Sequence, residues 1–264
     1  MRWFFFIFVF FSSFGCSHRQ SRPVNSGAGR TFLYSLTKNE QTWYVFGTHH
    51  YIGIEELPSS VLNKFNTSTT LVVESTGIGE KKNESRNFKD RKPMPAQPSA
   101  RSRKALLARG ISTEIISKAS LGALCKLYFW GPNRPDSMDS AFEASAQTLQ
   151  KKIIALDEPV QIRKVTERDL NGCDLETMTL NSPEEIEKYT QSLKNEYRSG
   201  HQKFYENEEI YTDVKERNIF WFESLKKINE KNVFIAVGVS HLYGPTGLLK
   251  LFEENQFQIQ RLSD

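Results

Sequence analysis

The sequence predicts an α/β fold: a central mixed β-sheet flanked by helices, with a helical insertion between the third strand and the C-terminal strands. Three observations lead there. Short runs of Val, Ile, Phe and Tyr, residue types that favour strands, alternate with longer stretches whose apolar residues fall at three- and four-residue steps. Two of these runs, Tyr44-Val45-Phe46 and Phe234-Ile235-Ala236-Val237, end in one pattern, Gly-x-x-His, as Gly47-Thr48-His49-His50 and Gly238-Val239-Ser240-His241. A third run, Thr70-Leu71-Val72-Val73, ends in Glu74. Open α/β sheets bind ligands at the carboxyl ends of their strands, so His50, Glu74 and His241 are expected along one sheet edge.

Taken in order, residues 32–36 and 42–46 are strand-like and joined by the polar turn Lys38-Asn39-Glu40-Gln41, a hairpin signal. Residues 57–65 read as a short helix opened by Pro58, and 70–74 as the third strand, a βαβ crossover from the second. Residues 77–103 mix Lys81, Lys82, Arg86, Lys89, Arg91 and Lys92 with three prolines and few apolar residues. That composition predicts a mobile, basic loop, a lid in the functional reading and a solvated insertion in the plainer one. Its Gly77-Ile78-Gly79-Glu80-Lys81-Lys82 lacks the spacing and ending of a phosphate loop. Residues 104–130 carry a helical pattern broken by Gly131-Pro132, and 139–151 form a second, alanine-containing helix. A strand at 153–156 ends in Asp157 and Glu158. Helices are expected at 160–168, 183–200 and 206–227, the middle one opened by the cap Ser182-Pro183-Glu184-Glu185. A strand at 233–237, a helix at 247–255 and an alternating strand at 257–262 complete the chain.

The amino terminus reads differently from the rest. Met1-Arg2 precedes the apolar run Trp3 to Phe11, too short for the roughly 20 residues of a bilayer-spanning helix and suited to a signal-peptide core. Ser13-Phe14-Gly15-Cys16 follows and resembles a bacterial lipoprotein signal, so 1–15 are expected to be a signal peptide, Cys16 the lipidated mature terminus and 16–30 a flexible tether. The plainer readings are an ordinary cleaved signal and an uncleaved anchor. The expected location is the cell envelope, lipid-anchored, with the outer membrane favoured by Ser17. Cys125 and Cys173 then remain, either paired in that oxidising compartment or free. The net charge of +4 on 264 residues argues against nucleic acid as a partner.

Two histidines and a carboxylate are the donors of a divalent-metal site with an open position. His50, His241 and Glu74 are the candidate ligands; the ion would be manganese, cobalt or zinc. Asp157 or Glu158 is a candidate fourth ligand or general base, and Arg217 a candidate for stabilising an oxyanion. The competing reading has the histidines only bonding backbone carbonyls beside the glycine bends. Adjacent strand residues face opposite sides, so only one of His49 and His50 can face the cluster. His18 and His201 read as solvated, and no Gly-x-Ser-x-Gly elbow exists for a serine hydrolase.

The two Gly-x-x-His segments, Glu74, Glu216-Arg217-Asn218 with Trp221, and Tyr243-Gly244-Pro245-Thr246-Gly247-Leu248-Leu249 together resemble the TraB/GumN family, which includes the Tiki proteases. The likeness runs from about residue 30 to the end and takes in Met138-Asp139 through Ala146 to Leu156. It implies a metal-dependent, peptidase-like site built from His50, His241, Glu74 and Arg217, with Glu74 and Arg217 the catalytic pair and a peptide or protein substrate. Leu156-Asp157-Glu158-Pro159-Val160-Gln161 departs from the family pattern, so neither acid receives a role from it. The alternative is a non-catalytic envelope lipoprotein that binds a peptide or a haem-like ligand in the same crevice.

Overall fold

The computed structural model describes residues 31–50, 52–75, 97–132, 137–157, 174–206 and 208–263. Expectations for the signal peptide, Cys16, most of the basic loop, Glu158, the helix at 160–168 and Cys173 fall outside them.

Six strands form one sheet in the order β4-β3-β5-β2-β1-β6. They are β1 Leu33–Lys38, β2 Gln41–Thr48, β3 Thr70–Val73, β4 Lys152–Ala155, β5 Asn232–Gly238 and β6 Gln258–Arg261. β1 and β2 make the expected hairpin, turned at Asn39 with φ 54°, a conformation asparagine tolerates. β2, β5, β3 and β4 are mutually parallel, and β6 closes the other edge antiparallel to β1. The sheet is therefore mixed, and the fold is α/β.

β3 and β5 are buried along nearly their whole length, as parallel strands covered on both faces must be. The expected crossover from β2 to β3 passes through α1 Ser59–Thr67, but the two strands are not neighbours; β5 lies between them. All four parallel strands end at the same edge of the sheet.

The chain divides into two compact units. The larger holds the sheet, α1, α5 Met138–Thr148, α8 Glu208–Leu225 and α9 Leu248–Glu254. The smaller holds α2 Ala100–Ala108, α3 Thr113–Lys118, α4 Leu121–Trp130 and α6 Leu175–Met178, packed around Leu106, Ile116, Leu124, Tyr128 and Leu175. α7 Pro183–Ser199 carries the chain from the smaller unit into the larger.

One long helix over 104–130 is not what forms. Ser99, Ser112 and Ser120 each accept a hydrogen bond from the backbone three residues on, opening three short helices, and Gly110 ends the first with φ 84°. The first begins at Ala100, so the expected loop ends earlier than residue 103. Cys125 is disulfide-bonded. Among the described residues no helix is long and apolar enough to cross a membrane.

Candidate functional site

Each parallel strand delivers one polar side chain to the shared edge. β2 leads to His50, β3 to Glu74, β4 to Asp157 and β5 to His241. Backbone bonds from Leu156 N to Val73 O and from Asp157 N to Glu74 O carry the β3–β4 ladder past the strand ends and set the two acids side by side.

The glycines explain the closeness. A Cβ on Gly238 would meet Glu74 Oε1 at 3.1 Å, with His241 Cδ2 at 3.7 Å and His50 Nε2 at 3.8 Å. Three of the sequence-selected side chains thus converge on the face of Gly238, whose N–H donates to Glu74 Oε1 at 2.7 Å. Gly47 serves another end: a Cβ there would lie 3.0 Å from the Val239 backbone. The parallel register sets Thr48 opposite Gly238, so the two motifs pack on each other.

The histidines are held differently. His50 Nδ1 lies 2.7 Å from Asp139 Oδ2, while Thr48 Oγ1 donates to Asp139 Oδ1 at 2.7 Å. His241 Nδ1 lies 2.6 Å from Asn218 Oδ1, and its ring stacks at 4.2 Å on buried Trp221. The His50 side chain is 54% exposed; His241 is 3% exposed. His49 turns elsewhere, its ring 5.1 Å from Tyr197, so of the adjacent pair it is His50 that reaches the cluster.

Arg217 reaches in from α8. Its Nη2 donates to Glu74 Oε2 at 2.9 Å and to Asp157 Oδ2 at 2.7 Å, and its Nη1 lies 3.3 Å from His241 Nε2. Trp221 Nε1 donates to Asp157 Oδ1 at 2.7 Å, and the guanidinium lies 4.4 Å over the Trp221 ring.

The charges follow from this arrangement. Burial, with Arg217 and His50 nearby, pushes the His241 pKa down to about 4 despite Glu74, so the ring is neutral near pH 7. Burial opposes the charge on Glu74, but the attraction of His241 and Arg217 and the Gly238 N–H outweigh it and lower its pKa. With His241 neutral, Arg217 is the standing counter-charge. Burial also opposes the charge on Arg217, and Glu74 and Asp157 more than offset it. For His50, the bond to Asp139 overcomes burial and raises the pKa, an effect tempered by its contact with water.

The donor set suits a divalent ion in kind. It offers two imidazoles whose Nδ1 atoms are engaged, as outer partners engage metal-bound histidines, and a carboxylate beside them. In the arrangement seen, however, no group of three or more His, Cys, Asp or Glu side chains among the described residues is placed to hold a metal. His241 Nε2 and Glu74 Oε1 are 3.8 Å apart, and the cation among them is the Arg217 guanidinium.

A family model matches residues 32–261, nearly all of the described chain. The chain belongs to the TraB/PrgY/gumN family. No protein with a curated description and no solved structure matches it. In this TraB/PrgY/gumN chain, sequence reasoning selected His50, Glu74, Arg217 and His241, and the fold brings all four together. It gave no role to Asp139 or Asn218. Both lie in segments that carry the family likeness, Asn218 beside Arg217 and Asp139 in Met138-Asp139, which was a usable signal. Asp139 sits in the first turn of α5, where an acid is ordinary helix chemistry.

Proposed function

We propose that this chain is a metal-dependent hydrolase of peptide-type bonds, tethered by lipid at Cys16 in the cell envelope. The observation that carries the reading is the convergence of His50, Glu74 and His241 on Gly238 at the common end of four parallel strands. His50 Nε2, His241 Nε2 and Glu74 are the groups that would hold the ion, manganese, cobalt or zinc. When bound, a divalent ion makes a coordinated water acidic and polarises a carbonyl.

The remaining work belongs to the chain. Asp139 and Asn218 orient the two imidazoles. Half-exposed His50 marks the side open to a substrate. Arg217 has Nη2 and Nε on acids and Nη1 near His241, so turning Nη1 toward a substrate oxygen gives up only its 3.3 Å contact to His241 and leaves the bonds to Glu74 and Asp157 in place. A guanidinium there stabilises the negative charge that develops on a carbonyl oxygen under attack. Asp157 and Trp221 hold it in place. The bonded state of Cys125 supports an oxidising compartment.

Elemental analysis of the purified full-length protein, beside its His50→Ala/His241→Ala variant, tests this. Expected is a stoichiometric divalent ion that the variant lacks, and peptide cleavage that a chelator abolishes. A second reading is favoured by Arg217 itself, which already satisfies Glu74 and His241: a lipoprotein that binds a peptide or haem-like ligand without chemistry. Absence of metal under every loading condition, with saturable and chelator-insensitive peptide binding, would decide for it.

A further inference from the structure

Asn218 has no exposed surface and makes three hydrogen bonds, all to one loop. Its Nδ2 donates to His241 O at 3.2 Å and to Thr246 O at 2.9 Å; its Oδ1 faces His241 Nδ1 at 2.6 Å. The two carbonyls can only accept, so the amide cannot be turned round without setting oxygen against oxygen. Oδ1 also only accepts, so Nδ1 of the neutral ring must carry the hydrogen. The opposite side of the ring agrees independently. Arg217 Nη1, which can only donate, lies 3.3 Å from Nε2, and that nitrogen must present its lone pair.

From these contacts we infer that Asn218 is a positioning residue. It locks His241 in the Nδ1–H tautomer and so turns the Nε2 lone pair to Arg217 Nη1, with Glu74 Oε1 3.8 Å from the same nitrogen. The two backbone bonds fix the amide, and the amide fixes the ring. The usefulness of that lone pair to an ion rests on the proposed metal-dependent reading; the tautomer itself does not. The Asn218 contact is the shorter of the two on the ring and fully enclosed, whereas the Arg217 contact is long, so Asn218 governs the tautomer.

The test is the two-bond nitrogen–proton NMR spectrum of full-length, metal-free protein labelled in its histidines, at pH 7.5, with His241 assigned through His241→Gln. Expected is the Nδ1–H pattern in the wild type. Arg217→Met, which leaves Asn218 and its backbone bonds in place, retains it. Asn218→Leu, which removes the acceptor at similar volume, shifts the ring to Nε2–H or to a mixture while the other histidine signals stay in place. An Nε2–H ring in the wild type overturns the inference even if no variant folds. An unchanged tautomer in a folded Asn218→Leu protein overturns it too, as does a tautomer lost in Arg217→Met.

Titration with Zn2+ and Mn2+ then separates this inference from the functional reading. Asn218→Leu is expected to weaken ion binding about 10–100-fold, the usual effect of losing an outer partner. If the wild type binds neither ion but shows Nδ1–H under Asn218 control, the metal reading fails and the tautomer lock stands.

Discussion

One residue past Gly47 the chain leaves β2 and carries His50 to a half-exposed position, where the carboxylate of Asp139 holds its Nδ1. After Gly238 it leaves β5 through a 3-10 turn, Val239–His241, and carries His241 to a buried position, where the amide of Asn218 holds it. The two glycines differ in the same way. Gly47 lets one backbone approach another, while Gly238 makes the floor against which functional side chains gather. One four-residue pattern thus serves packing and access in its first copy and the closed half of the site in its second. The lesson is that a repeated motif reports a shared place in the fold, the end of a parallel strand, and not a shared task.

The largest expected effect isolates the second copy. Arg217→Met leaves Glu74 and Asp157, 14% and 4% exposed, without their cation, and breaking such a pair from one side costs about 3–5 kcal/mol. Denaturant unfolding should show that loss, and Glu74→Gln added to it should recover part. Unchanged stability would mean that water reaches this half as freely as the half around His50.

The histidines should separate next. His241→Ala removes a buried ring stacked on Trp221 and strips Asn218 Oδ1 of its donor. A loss of about 2–3 kcal/mol is expected from the cavity and the unsatisfied group. His50→Ala, at a half-exposed position, should stay within about 0.5 kcal/mol. Equal losses would mean that the two rings are equally enclosed in solution.

The glycines give the finest contrast. Gly47→Ala forces a methyl against the Val239 backbone and should cost about 1–3 kcal/mol by overpacking. Gly238→Ala presses instead on the end of the Glu74 side chain alone, the two rings staying at ordinary contact distance, so about 1 kcal/mol or less is expected. Its mark should be on ion or peptide binding, measured by calorimetry. If Gly238→Ala proves the more damaging to unfolding, the second glycine is as structural as the first.

Much of this architecture was legible from residue order. β-branched runs ending in Gly-x-x-His or in Glu74 located strand ends, because a parallel strand buried on both faces is a continuous apolar run. The order β4-β3-β5-β2 was not legible. Strands as alike as Val233-Phe234-Ile235 and Leu71-Val72-Val73 carry no label for their neighbours, so the slot between β2 and β3 could not be assigned to β5. Asp139 and Asn218 stayed hidden for a related reason. Each sits on a helix, Asp139 in a first turn where an acid is ordinary and Asn218 in mid-helix beside Arg217, and only the tertiary approach of a histidine gives it a task. The serine caps that split residues 104–130 lay in view, but the apolar spacing ran through them.

The position of β5 has a consequence for how the molecule comes into being. It is the fifth strand in sequence and an inner strand of the sheet, paired on one side with β2 and on the other with β3. A chain emerging from its amino end completes β1, β2, β3 and β4 with no strand pairing, among the described residues, between the first pair and the second. Loop closure across such separations is slow, so the two halves must wait until residues beyond 230 arrive to join them. The His241 half of the site is built by that same late segment. Assembly of the sheet and assembly of the cluster are therefore one event, and a chain cut short before β5 has neither.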